Sequence, residues 1–441
     1  MNRKILKLAL PNIITNITVP LLGMVDTSIV GHLSENHIGA IAIGTQIFNL
    51  IYWNFGFLRM GTSGFTAQAY GSRRLDEAVR VFLRAFAIAL AIAVTLLLLQ
   101  YPIALLSKAI FNGSNAVLEM AISYFFVRIW AAPATLGLYA VKGWFIGMQN
   151  SRLPMWIAII INVVNIVCSL VFVLGFHWDI RGVALGTVIA QYSGLAIGLY
   201  FLVFRYGKLF RRHLSPTFIR KTLQWHAMRQ FFKVNGDIFL RTVCLAAVFT
   251  FITSESGRIS DQVLAVDALL MQFFMLFSYI MDGFAYAGES LVGRYIGAHN
   301  RQSLVQAVRH LLLWGLAITL FFTGLYALWG DEFLLIFSDK KNVIDATRPY
   351  LFWVLIIPVC GFSAFLFDGI FVGATASRTM RNSMFIATMA FFGIYYGICH
   401  ILDISTDYER NNTLWTAFMV YLAARGIGQA LRLRPDVYNK A

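Results

Sequence analysis

A chain of 441 residues in which apolar runs of about 20 residues or more follow one another almost from end to end is built to cross a bilayer repeatedly. In hydrocarbon every backbone N–H and C=O must be satisfied within the spanning structure, so runs of this length form helices. Coarse spans are 5–32, 38–70, 80–106, 117–148, 153–175, 182–206, 230–254, 263–296, 306–329, 347–376, 380–402 and 412–432. The pattern predicts an all-α membrane protein with twelve transmembrane helices and no room for a soluble domain. Only 13% of residues are charged, against about 25% in soluble domains.

The charge distribution orients the chain. The net charge is +15, which in isolation could suggest nucleic acid. With the N-terminus inside, however, 24 of the 36 Lys and Arg fall on the inner side, seven in outer loops mixed with acids, and five within spans. That is the positive-inside pattern of an inner-membrane protein with both termini cytoplasmic, and no nucleic-acid partner is expected. The opening MNRKILKLAL is basic then apolar without a small-residue cleavage site, so it reads as a retained first span. Cys168, Cys244, Cys360 and Cys399 lie in apolar spans without CxxC spacing and imply neither a disulfide frame nor a metal site.

The chain also repeats itself. Sliding it by 226 residues superimposes residues 5–155 on 231–381 without a gap. Gln46 then meets Gln272, Gly71 meets Gly297 and Tyr124 meets Tyr350, and GWFIGMQNSR from Gly143 meets GIFVGATASR from Gly369. Loop lengths preserved across four helices indicate duplication. Because the offset spans six helices, both halves have the same orientation, as in parallel-repeat transporters. The expected division is a six-helix lobe over 1–206, a basic cytoplasmic linker over 207–229 and a second lobe over 230–441. The stretch 205–229 has seven Lys or Arg and no acid, which suits a surface helix on anionic lipid.

Ionisable residues inside membrane spans are costly and generally functional. In the first half Asp26 lies about 9 Å from the end of span one at 1.5 Å per residue, and Pro11 removes a backbone bond that lets the helix bend. The second half repeats none of this. Asp26 falls on Ile252, Pro11 on Asp237, Thr15 on Arg241, Ser63 on Glu289 and Lys142 on Asp368. There Asp237 and Arg241 share a helix face at i,i+4 and can pair. Asp282, Tyr286 and Glu289 form a stripe suited to cations or protons, and Asp368 stands alone on span ten. Span five carries Asn162, Asn165 and Ser169, and span six carries Thr187, all neutral oxygens. No phosphate-binding GxxxxGK[ST] loop, zinc spacing or nucleophile elbow appears, so the chain does not read as an ATPase or other enzyme.

The stretches VDTSIVGHL, FGFLRMGTSGFTAQAYG, NGDIFLRT, LLMQFFMLFSYIMDGFAYAGES and FDGIFVGAT resemble the multidrug and toxic compound extrusion (MATE) family, specifically its DinF-like branch. The similarity covers essentially the whole chain. The resemblance implies two six-helix lobes forming a V-shaped antiporter that exports organic, often cationic compounds against inward H+ or Na+. It implies an ion site in the first lobe, with Asp26 as the span-one acid, Asn165 on span five, Thr187 on span six and Pro11 as the bending residue. Two positions depart from the pattern: the family's second acid is Ser169 here, and the span-four position is Lys142.

The chain is therefore expected to be a proton-coupled exporter of amphipathic toxic compounds, working by alternating access, functional as a monomer and needing no cofactor beyond H+ or Na+. Ser169 disfavours Na+, and Lys142, if it reaches Asp26, serves as a built-in cation. Substrate is expected in a cleft lined by aromatic and Met side chains, with the second-lobe acids attracting cations. Two alternatives are a lipid-linked oligosaccharide flippase of the same superfamily and a non-transporting membrane scaffold or sensor.

Overall fold

The computed structural model describes residues 1–441 apart from 32–33, 112–113, 214 and 402–405, together with the side chains at 19, 21, 22, 27, 30, 31, 35 and 227. The expected span ends at 32 and 402 lie outside the described residues. The described chain is helical, with no strand: α1 (Asn2–Gly31), α2 (Glu35–Asn54), α3 (Phe57–Gly71), α4 (Leu75–Leu98), α5 (Gln100–Ile110), α6 (Asn115–Arg128), α7 (Ala132–Gly147), α8 (Arg152–Leu170) and α9 (Asp179–His213) come first. A short α10 (Pro216–Thr222) leads into α11 (Trp225–Ile259), α12 (Asp261–Gly297), α13 (Arg301–Phe337), α14 (Lys341–Thr347), α15 (Leu351–Gly373), α16 (Ser377–Ile401) and α17 (Asp407–Leu431).

Among the described residues eleven stretches are long and apolar enough to span a membrane. Helix α17 holds the twelfth position at 25 residues, and its Asn411, Asn412 and Arg425 make it more polar than the others. Side chains such as Leu98, Phe204 and Leu431 are more than three-quarters exposed. Outward apolar surface on that scale marks a lipid-facing molecule. Several spans depart from unbroken helices, two of them inside their length. Span two is interrupted at Phe55–Gly56 between α2 and α3, and α13 departs from helical geometry at Trp329.

The duplication is legible in the backbone. Residues 35, 71, 115 and 147, which begin or end helices, fall on 261, 297, 341 and 373, which do the same. Arg73 (φ 59°) and His299 (φ 51°) adopt left-handed backbone at one pair of equivalent turns, and Gln149 (φ 62°) and Thr375 (φ 49°) at another. The amides that follow close the same bonds: Arg74 to the Ala69 carbonyl and Asn300 to the Tyr295 carbonyl, both at 3.0 Å. This is the six-to-one closure that ends helices with a left-handed residue. Close helix packing repeats as well. A Cβ on Gly143 would sit 2.4 Å from the Arg59 carbonyl oxygen, and one on Gly369 would sit 2.1 Å from that of Ala285. The contact residues, 59 and 285, are again 226 apart.

The chain forms two compact units, Leu10–Asn235, and Gly236–Ala441 together with Met1–Ala9. The two crossing points, after Ala9 and after Asn235, obey the same offset, so α1 and α11 each begin in one unit and continue in the other. Helix α1 remains helical through Pro11 and Pro20. In the first unit the core gathers Phe48, Tyr124, Phe125 and Ile129, with a second cluster around Trp144, Phe82 and Phe210. In the second, Phe273, Phe277, Phe322 and Tyr326 interlock through edge-on ring contacts.

Candidate functional site

The first-lobe polar site lies towards the bundle end where α1 and α8 finish and α9 begins. Asp26 is 9% exposed, and Asn165, Ser169 and Thr187 are 0–3% exposed. The Asp26 carboxylate lies beside the Ser169 hydroxyl and within the field of the Arg128 guanidinium. Asn165 Nδ2 donates to Thr187 Oγ1 at 2.9 Å, tying α8 to α9. Close approach there depends on Gly186, where a Cβ would come within 2.7 Å of Ser169 Oγ. Immediately beyond Ser169 the helix widens into one π turn, Val171–Gly175, a distortion common at functional sites. Asp26 Oδ1, Asn165 Oδ1 and Ser169 Oγ are buried without completing a hydrogen bond, whereas buried polar atoms are ordinarily satisfied. The site therefore gathers buried oxygens whose hydrogen bonding is incomplete.

The cation associated with Asp26 is Arg128, not Lys142. Arg128 Nη1 donates to the Tyr124 hydroxyl at 2.5 Å, and its guanidinium lies 4.8 Å from the centre of the Phe48 ring. Lys142 has no described carboxylate partner, and burial is what dominates its surroundings. The reason is depth. Asp26 is five residues from the end of α1, whereas Lys142 is five residues before the opposite end of span four, at Gly147. Between Arg128 and Lys142 the chain descends roughly 20 Å at 1.5 Å per residue.

In the second lobe Asp237 and Arg241 do not pair with each other. Asp237 accepts from Arg381 Nη1 at 2.7 Å and from Ser377 Oγ at 2.8 Å. Arg241 and Arg425 both donate to the single oxygen Asp368 Oδ2, while Gln429 Nε2 donates to Oδ1 at 2.9 Å. Asp368 thus joins α11, α15 and α17 and is far from solitary. Asp282 acts electrostatically on both guanidiniums. Asp282 and Tyr286 are partly buried and Glu289 is 1% exposed. The acids on spans seven and ten are therefore engaged by arginines.

Sequence reasoning did not single out Asp267. It is 3% exposed and accepts from Ser256 Oγ at 2.5 Å, Asn411 Nδ2 at 2.9 Å and Trp415 Nε1 at 2.7 Å. It fastens the α11–α12 turn to α17. Among the described residues no group of three or more His, Cys, Asp or Glu could hold a metal ion.

A duplicated set of membrane-length helices with charges buried inside them is the build of a multi-pass membrane transporter. The MatE family profile matches residues 11–171 and again 238–398, and the chain belongs to that family. It is 36% identical to DNA damage-inducible protein F of Escherichia coli (strain K12) over 424 residues, covering 96% of this chain and 90% of that one. It is 23% identical to the uncharacterized transporter YisQ of Bacillus subtilis (strain 168), covering 95% and 90%. Multidrug resistance protein MdtK of Cronobacter sakazakii is 22% identical, with 98% and 95% covered. Among solved structures, a MATE protein in the bent conformation superposes with TM-score 0.87 at 19% identity, over 100% of this chain and 96% of that one. An outward-facing multidrug resistance MATE family transporter gives 0.82 at 19%, over 99% and 96%. The chain is a MATE-family, DinF-like transporter.

Proposed function

We propose that this transporter exports amphipathic, often cationic organic compounds in exchange for protons, with Asp26 as the coupling carboxylate. It would act as a monomer in a bacterial inner membrane, both termini cytoplasmic, as its positive-inside charge supports. The observation that carries the coupling assignment is the set of buried, unsatisfied oxygens of Asp26, Asn165 and Ser169 beside Arg128.

The choice of proton over sodium rests on charge. Asp26 and Arg128 sum to zero, so a dehydrated Na+ would bring a second positive charge into a dry site with one carboxylate. Ser169 supplies only a neutral oxygen where a second acid would help. A proton needs no shell of oxygens, because it forms an O–H bond on the carboxyl group. The neutral acid can then donate to the neighbouring Ser169 Oγ, reversing the direction in which that hydroxyl faces the ionised carboxylate. Protonation also cancels the attraction between Asp26 and Arg128, which is strong in a low dielectric, and so releases α1 from α6. Pro11 lacks the amide that would tie it to the preceding turn, which favours bending of the freed α1 at that position. Substrate displacement would follow from the different affinities of the two α1 states. Asp282, Tyr286 and Glu289 are the second-lobe candidates for contact with cationic substrate.

The test is flux of a cationic dye from proteoliposomes under imposed pH or Na+ gradients. A pH gradient should drive export, and Asp26→Asn should abolish that drive while dye still binds. Export that follows a Na+ gradient and ignores pH would overturn the assignment.

A further inference from the structure

The first lobe contains a second polar site, away from Asp26 and unused by the coupling scheme. A cavity of about 250 Å³ opens where α3 ends, α4 begins and α11 starts. Arg74, Arg84, Gln68 and Gln230, all carrying side-chain N–H donors, line it together with one acid, Glu77, and the apolar Phe65, Val81 and Phe231. Drug-sized ligands occupy pockets of about 300–1,000 Å³ with mostly apolar walls, so this cavity is too small and too polar for the export substrate.

Its charge selects an anion. Arg74 and Arg84 against Glu77 leave the wall at +1, and Glu77 is already engaged by Arg84 at 2.8 Å and by Arg80 at 3.5 Å. Arg74 is exposed, and its described bond is a long one, Nε to Ser72 Oγ at 3.4 Å. Its fork of remaining donors is directed by geometry to planar or tetrahedral oxyanions. At the same end of the lobe lies the basic linker, held by Arg84 Nε on the Thr222 carbonyl at 3.3 Å and by Arg80 against the Phe218 ring at 5.0 Å. Around α10 the linker exposes Ile219, Leu223 and Trp225. An apolar and aromatic fringe beside Lys and Arg is the arrangement that seats in a lipid headgroup layer.

We propose that this cavity binds a phosphate-bearing anion, the headgroup phosphate of an anionic phospholipid or free phosphate, through Arg74, Arg84, Gln68 and Gln230. The phosphate would compete with Glu77 for Arg84, the residue that also holds the linker carbonyl, so occupancy bears on how the linker is anchored.

The experiment uses the purified full chain in detergent, titrated with phosphatidylglycerol, phosphatidylcholine and inorganic phosphate and read by native mass spectrometry and thermal shift. Saturable binding of phosphatidylglycerol, not displaced by millimolar phosphate, identifies a lipid site. Displacement by phosphate, or binding of phosphate alone, identifies a soluble anion. Either outcome supports the cavity only if Arg74→Gln weakens binding about tenfold or more, as loss of a charge-assisted hydrogen bond should. Gln230→Leu should weaken it less, and Arg220→Gln on the linker, which does not line the cavity, should leave it unchanged. Equal binding of phosphatidylglycerol and phosphatidylcholine, or indifference to both Arg74→Gln and Gln230→Leu, would overturn the proposal.

Discussion

Asp368→Asn is the substitution whose cost the structure fixes most sharply. The carboxylate is 7% exposed and is the shared acceptor of Arg241 and Arg425, themselves 6% and 3% exposed. Removing its charge leaves two buried guanidiniums facing each other without their common counter-ion, and Asp282 is the remaining described acid that acts on both. Breaking a buried ion pair from one side costs about 3–5 kcal/mol, because the stranded charge stays dry. Here two charges are stranded, so the upper part of that range applies. Asp237→Asn supplies the contrast. Its partner Arg381 has a side chain 29% exposed and can recover hydration, which places the loss at about 1.5–3 kcal/mol, the range for one hydrogen bond to a charged group. Equilibrium unfolding in mixed micelles would measure both. Replacing the whole cluster, Asp368→Leu with Arg241→Met and Arg425→Met, should return most of the lost stability, since apolar substitutes for buried ion clusters are often neutral or better. The reasoning fails if Asp368→Asn costs under about 1 kcal/mol, below every value expected of a broken buried pair, or no more than Asp237→Asn.

Four further outcomes are expected. Ser169→Asp should introduce Na+ dependence into export by adding a second carboxylate beside Asp26, and Lys142→Asn alone should leave ion preference unchanged, both read in gradient-driven flux. Arg128→Gln should shift the pH response of export towards alkaline values, since losing the nearby cation makes Asp26 easier to protonate; a profile that does not move would remove Arg128 from the scheme. Gly143→Ala and Gly369→Ala should each destabilise by about 1–3 kcal/mol, because the new methyl meets a backbone carbonyl that cannot swing aside. Asp282→Asn and Glu289→Gln should reduce export of a cationic dye more than of a neutral one, with equal reductions pointing to a structural role for the stripe.

Most of the architecture was readable from the sequence because lipid leaves few choices. Long apolar runs have to be helices, and the 226-residue offset was visible in Gly71 and Gly297 before their turns were seen to match. The first-lobe cluster of Asp26, Asn165, Ser169 and Thr187 came from resemblance. Spacing along one helix could not show that α1, α8 and α9 meet there. Two pairings that the sequence left open are not formed among the described residues, for different reasons. Lys142 could have been set apart from Asp26 by counting helical rise from opposite ends. Arg241 could not have been assigned in that way, since i,i+4 geometry permits a bond to Asp237 without favouring it over Asp368, which is 127 residues away. Asp267 escaped notice because its partners lie 11, 144 and 148 residues off and the surrounding LAVDALLM carries no motif.

The matched left-handed turns have a practical consequence. Residues 72–74 and 298–300 trace the same path with different side chains, so either three-residue segment is a cassette that fits the other's socket. Exchanging them would carry Arg73 and Arg74 to the second lobe and His299 and Asn300 to the first while leaving the backbone course unchanged. Electrostatics would thereby be separated from shape, a separation single substitutions rarely achieve. Phosphate affinity that left the first lobe with the transplanted arginines would follow charge alone. Affinity that persisted there would trace to Arg84 and the glutamines that stayed behind.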